Sequence, residues 1–117
     1  MQYLLLIFHS ESEWGKLDSG QQSSIYSEYR QLIHDLSQDG KLVAGDQLKP
    51  AASAATVRVR NGKVSRTDGP FAETKEQLGG YFLVDVAGLD EALAIAARIP
   101  SARAGSVEVR EVSPRQD

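Results

Sequence analysis

Apolar positions along this chain recur with two periods, and the places where the period changes mark out its elements. The run "QYLLLIF", residues 2–8, is continuously apolar and short, which predicts a strand buried on both faces. After the polar stretch "HSESEWGKLDSGQ", Ile25, Tyr29, Leu32, Ile33 and Leu36 are spaced i, i+4, i+7, i+8 and i+11. At about 100° per residue that spacing makes one narrow stripe, the mark of an amphipathic helix, and Gly40 ends it. "KLVAGDQL" predicts a second strand, stopped by Pro50 because proline has no N–H for a ladder. "ATVRVR" and "KVSRT" alternate with period two and are joined by Asn61-Gly62, the pair that best tolerates the positive φ values of a two-residue hairpin turn. The connector "DGPFAETKEQLGG" then leads into the strand "YFLVDV". Asp90 is placed to cap a second helix that turns Leu89, Leu93, Ala96 and Ile99 to the core and stops at Pro100. "SVEVREV" closes the pattern as the last strand.

The order strand, helix, strand, hairpin, strand, helix, strand is a βαββαβ frame with a β-hairpin inserted at its middle. It predicts an α+β, ferredoxin-like antiparallel sheet with two helices on one face, in a single domain over residues 1–112 with a frayed tail over residues 113–117. If Val57, Val59, Val107 and Val109 point to the helices, then Thr56, Arg58, Arg60, Glu108 and Arg110 point away. Strands apolar on both faces need cover that two helices cannot supply, so the bare sheet face is expected to meet the same face of a second subunit.

Composition changes this picture only by exclusion. With 41% hydrophobic and 25% charged residues, the chain resembles an ordinary globular domain rather than a disordered one. A net charge of -3 and the lack of any Lys/Arg block argue against nucleic acid as partner. The longest apolar run is far short of the roughly 20 residues of a membrane span and follows no basic segment, so the expected location is the cytoplasm. The chain has no Cys, which excludes disulfides, thiolate metal sites and a Cys nucleophile. Two isolated His argue against a dedicated transition-metal site, and neither a phosphate-loop pattern nor a G-x-S-x-G elbow is present. No cofactor is expected.

Chemistry-bearing side chains concentrate in "DGPFAETKE", Asp68 to Glu76. Asp-Gly-Pro shapes a turn, and Phe71 is apolar enough to plug a core edge. The polar remainder is expected at the mouth of a cleft between sheet and helices, where loops on a rigid frame commonly carry binding groups. In that placement Asp68 or Glu73 would serve as base with Lys75 as electrostatic partner, while Phe71, Thr74 and Glu76 would contact a ligand. His9, at the end of the first strand, Tyr29, on the helical stripe, and Tyr81, opening the strand after "GG", are further candidates for the same pocket. Trp14 suits either a lid or an anchor for its loop, and His34 falls opposite the apolar stripe, in solvent.

"DGPFAETKEQLGGYFLVDV", with "LVAGDQL" before it and "GSVEVREV" after it, resembles the DGPF branch of the YCII-related proteins over nearly the whole chain. The resemblance implies a dimeric α+β barrel in which two ferredoxin-like sheets pack face to face. It also implies a functional link to extracytoplasmic-function sigma factors, beside whose genes that branch is often encoded. Smaller relatives carry on the first helix a His paired with an Asp. Aligned on "GKLVAG", Tyr29 takes that position here, and the dyad does not carry over. The leading expectation is a homodimer that binds a small organic molecule near the DGPF loop. The alternatives are a cofactor-independent isomerase, lyase or oxygenase and an accessory protein of a sigma factor.

Overall fold

The computed structural model describes residues 1–115. Strands β1 (Gln2–His9), β2 (Leu42–Gln47), β5 (Gln77–Asp85) and β6 (Ser106–Glu111) form one sheet in the order β2-β5-β1-β6, and each neighbouring pair is antiparallel. Strands β3 (Ala55–Arg60) and β4 (Lys63–Asp68) form a separate two-stranded sheet. The helices are α1 (Glu11–Gly15), α2 (Ser19–Gln38) and α3 (Leu89–Arg98). This is the ferredoxin-like α+β plan with an inserted hairpin that the order of patterns predicts. Among the described residues no helix is long and apolar enough to cross a membrane. Of the tail expected to fray, residues 116 and 117 lie outside the described part.

Register decides which side chains make the core. Tyr3, Leu5 and Ile7 of β1 lie opposite Val84, Phe82 and Gly80 of β5, and Leu5 and Ile7 lie opposite Val109 and Val107 of β6. Directly opposed residues share a face. These form a single buried layer with Leu32 and Leu36 of α2 and with Ala92, Ile95, Ala96 and Ile99 at α3. The expectation that Val107 and Val109 face the helices therefore holds. The alternate residues of β1, Leu4, Leu6 and Phe8, occupy the other face and are only half-buried, so the expectation of a strand buried on both sides is met on one side within a single chain.

Three expectations are corrected. Val57 and Val59 do not face the helices: their hairpin stands apart from the main sheet, and they are 61% and 57% exposed. Asn61 (φ 53°) and Gly62 (φ 75°) still make the tight turn as expected. In α3 the core stripe is Ala92, Ile95, Ala96 and Ile99, whereas Leu89 and Leu93 are exposed; Gly88 takes the N-cap position and Asp90 sits within the first turn. Ala96 and Ile99 are thus buried as expected, while Ala92 and Ile95 take the places expected of Leu89 and Leu93. In α2 the helix begins at Ser19, well before the apolar stripe, because Asp18 and Gln21 form a reciprocal capping box that satisfies its first backbone N–H groups.

Charged pairs tie the helices together at the surface. Asp35 on α2 meets Arg98 on α3 at 2.5 Å, Glu28 meets Arg103 at 2.7 Å, and Lys41 meets Glu91 at 2.8 Å. The hydrogen bond from Gln31, together with Arg98, holds the Asp35 carboxyl below its ordinary range.

Ile95 is buried and Leu93 is 46% exposed, so truncating them separates the two versions of the α3 stripe. Ile95→Ala is expected to cost about 2–5 kcal/mol in a denaturant titration, and Leu93→Ala no more than about 0.5 kcal/mol. Equal losses would return Leu93 to the core.

Candidate functional site

A half-open cavity of about 330 Å³ lies where α2 passes over the end of the sheet. Ile25, Tyr26, Tyr29, Arg30 and Ile33 of α2 line it on one side. Gly45, Asp46 and Gln47 of β2, Gly79 to Phe82 of β5, and Ile7 and His9 of β1 line it on the other, with Trp14 of α1 and Ser101 at its ends. The upper half of the α2 stripe, Ile25, Tyr29 and Ile33, thus faces a space, while the lower half, Leu32 and Leu36, fills the core.

Three glycines, Gly45, Gly79 and Gly80, form part of the sheet side of the space. Gly45 pairs with Phe82, Gly80 pairs with Ile7, and neither glycine fills the floor. A Cβ on Gly45 would collide with Cδ1 of Phe82, so the ring occupies the room that glycine leaves. A Cβ on Gly79, in the irregular step between the Ile7 and Phe8 pairings, would stand 2.5 Å from Nε2 of His9. His9 can lie over the strand only because position 79 has no side chain.

The walls are aromatic. Trp14 packs edge-on against Tyr26 with ring centroids 5.4 Å apart and against His9 at 6.4 Å, and Tyr29 leans on Phe82 at 6.4 Å. Helix α1 carries Trp14 into place. Ser10 caps it by accepting a hydrogen bond from the N–H of Glu13, and Gln22 of α2 donates to the Trp14 carbonyl at 3.0 Å. Trp14 is therefore a wall of the cavity, held at both ends of its helix.

Polar groups are few. Tyr29 and Ser101 share a hydrogen bond of 2.7 Å between their hydroxyls. Burial pushes the Tyr29 phenol above its ordinary range, with the Ser101 hydrogen bond and Arg103 partly opposing, so it remains a neutral hydroxyl near pH 7. Arg30 is the one Lys or Arg in the lining and Asp46 the one carboxylate, among the described residues. Asp46 pairs with Tyr81, which pairs with Leu6, so register puts both side chains on the helix-free face, where the Tyr81 hydroxyl stands 3.4 Å from Oδ2 of Asp46.

The residues singled out in the sequence divide into two groups. His9, Tyr29 and Tyr81 belong to the cavity lining, Tyr81 through its place on β5. Asp68, Phe71, Glu73, Thr74, Lys75 and Glu76 are not among its lining residues. Asp68 ends β4 and turns its carboxylate to Arg66 at 3.4 Å rather than to the turn ahead of it. Phe71 is 80% exposed and plugs no core edge. Glu73 and Lys75 are exposed. Thr74 donates to the backbone carbonyl of Glu76, whose carboxylate accepts from Ser106 at 2.8 Å. Gln77 links this end of the segment to the site's border, donating to the Thr74 carbonyl at 2.6 Å and accepting from the N–H of Glu11 at 3.0 Å. The segment leaves the hairpin, and its last residues hydrogen-bond to β6 through Glu76 and, through the Thr74 carbonyl, to Gln77, which holds the start of α1. His34 is exposed, as its position opposite the stripe predicts.

The YCII-related domain family model matches residues 1–116. An uncharacterized protein of Rhizobium meliloti (strain 1021) is 36% identical over 115 residues, an alignment that covers 97% of this chain and 93% of that one. The chain belongs to the YCII-related family.

Proposed function

We propose that this member of the YCII-related family binds a small, flat organic molecule in the cavity between α2 and the sheet. The observation that carries the reading is the combination of aromatic walls with a glycine-lined sheet side: Trp14, Tyr26, Tyr29 and Phe82 surround a space that Gly45, Gly79 and Gly80 also line. A cavity of about 330 Å³ is at the lower end of the range for small-molecule sites, and a mostly apolar lining with a few polar groups is their usual chemistry. The Tyr29–Ser101 hydroxyl pair and His9 supply hydrogen-bonding directions that would orient such a molecule.

The test is a thermal-shift screen of aromatic acids, phenols and quinones. A ligand present at 100 times its Kd adds about 2.7 kcal/mol to stability, enough to read as a clear shift. The shift is expected to vanish in Trp14→Ala and to persist in Glu73→Gln and Lys75→Ala. Loss in the loop variants with retention in Trp14→Ala would move the site to the DGPF segment.

The working unit in this proposal is a homodimer joined through the helix-free sheet face. Leu4, Leu6 and Phe8 of β1 and Leu83 of β5 give that face an apolar centre that α2 and α3 leave uncovered, and Arg110 and Glu108, paired at 2.6 Å, border it on β6. Such a row of half-buried apolar side chains on two central strands suits a self-complementary two-fold contact. Light scattering at micromolar concentration is expected to give twice the chain mass, and Leu6→Lys to give a monomer with unchanged far-ultraviolet circular dichroism. A wild-type monomer would contradict the dimer.

A further inference from the structure

Resting on the cavity reading above, we infer that the ligand is an anion, an aromatic carboxylate or a close equivalent, whose charged group meets Arg30 at the mouth of the pocket. Around α2 and α3 the other helix-borne cations are paired: Arg98 with Asp35 and, just beyond α3, Arg103 with Glu28. Lys41, which follows α2, is paired with Glu91. Arg30 of α2 borders the cavity and has no carboxylate within 4.0 Å among the described residues. A guanidinium left free beside aromatic rings presents a planar fork of donors that matches a carboxylate in two parallel hydrogen bonds.

The rest of the lining accepts negative charge. Asp46 could oppose it, but its side chain shares a face with Tyr81 and Leu6, on the far side of the sheet from α2. Tyr29 keeps its proton and Ser101 shares a hydrogen bond with it, so no second anion stands in the pocket among the described residues. An aromatic ring among Trp14, Tyr26 and Phe82 with its carboxylate turned outward to Arg30 satisfies both the apolar walls and the cation. A neutral ring would satisfy only the first.

The experiment is a pair of isosteric probes, 1-naphthoate and neutral 1-naphthamide, titrated by quenching of the fluorescence of the single Trp and by calorimetry. Wild type is expected to bind naphthoate roughly tenfold or more tightly than naphthamide, in line with a charge-assisted bidentate contact. Arg30→Gln should bring the two within about twofold by weakening naphthoate alone, and Arg30→Lys should restore part of the difference. Equal binding of both probes to wild type would overturn the anion assignment and leave the cavity reading standing. A preference for naphthoate that survives in Arg30→Gln would overturn the role of Arg30 in the same way. Failure of both probes, with no ligand found in the thermal screen, would remove the cavity reading and this inference with it.

Discussion

The helix-facing row of β1, Tyr3, Leu5 and Ile7, is the constraint on which the rest of the molecule rests. β1 is central in the sheet, hydrogen-bonded to β5 on one side and to β6 on the other, so this row must be filled from above by both helices at once. Leu32 and Leu36 from α2, Ile95 from α3 and Ile99 at its C-cap share one core cluster with that row, and every large aliphatic there is nearly or wholly buried. Close packing of that kind fixes the height of α2 above the sheet along its whole length. At Ile7 the β5 partner is Gly80, and one pair back Gly45 of β2 stands beside Phe82, with Ile25, Tyr29 and Ile33 of α2 across the space from them. The cavity lies at the end of the core layer, between α2 and this part of the sheet.

That position accounts for the character of the site. A pocket formed by extending a core has apolar walls by default, and its polar groups are the few that reach in from the ends: His9 from the strand terminus, Ser101 from the turn after α3, and Arg30 from the solvent side of α2. It also explains why the DGPF segment, with the densest chemistry in the sequence, stands outside. The segment carries the chain from the projecting hairpin back to β5, and its hydrogen bonds run to its own backbone, to Ser106 and, through Gln77, to the start of α1.

Most of the fold is legible in the sequence because strands and hairpins announce themselves by side-chain period and turn chemistry. Asn61-Gly62 specifies its turn, and the order of elements leaves few ways to build a sheet. The misses have physical causes. Ala96 and Ile99 are named correctly, but the α3 stripe also takes in Ala92 and Ile95, and the weak apolar signal of Ala92 is overshadowed by the neighbouring Leu89 and Leu93. Helix α1 is short and polar, yet Ser10 and Glu13 at capping spacing are a readable signal for it, as Asp18 and Gln21 are for the start of α2. The hairpin valines alternate as core residues do, and nothing local reveals that their sheet is not joined to the main one. The candidate cavity is only half legible: His9 and Tyr29, named from their positions, are among its lining residues, but the glycines that line it with them, Gly45, Gly79 and Gly80, leave no mark in a hydrophobic pattern.

Ligand chemistry, in this view, belongs to the end of the core layer and not to the DGPF segment. One two-dimensional NMR titration addresses both regions in a single sample, because the chain has one Trp and therefore one indole N–H signal. With 1-naphthoate added, the Trp14 indole and the backbone amides of Gly45, Gly79 and Gly80 are expected to shift together along one saturating curve, while the amides of residues 73–75 remain where they were. A saturating shift at residues 73–75 with an unmoved indole would contradict a site at the end of the core layer.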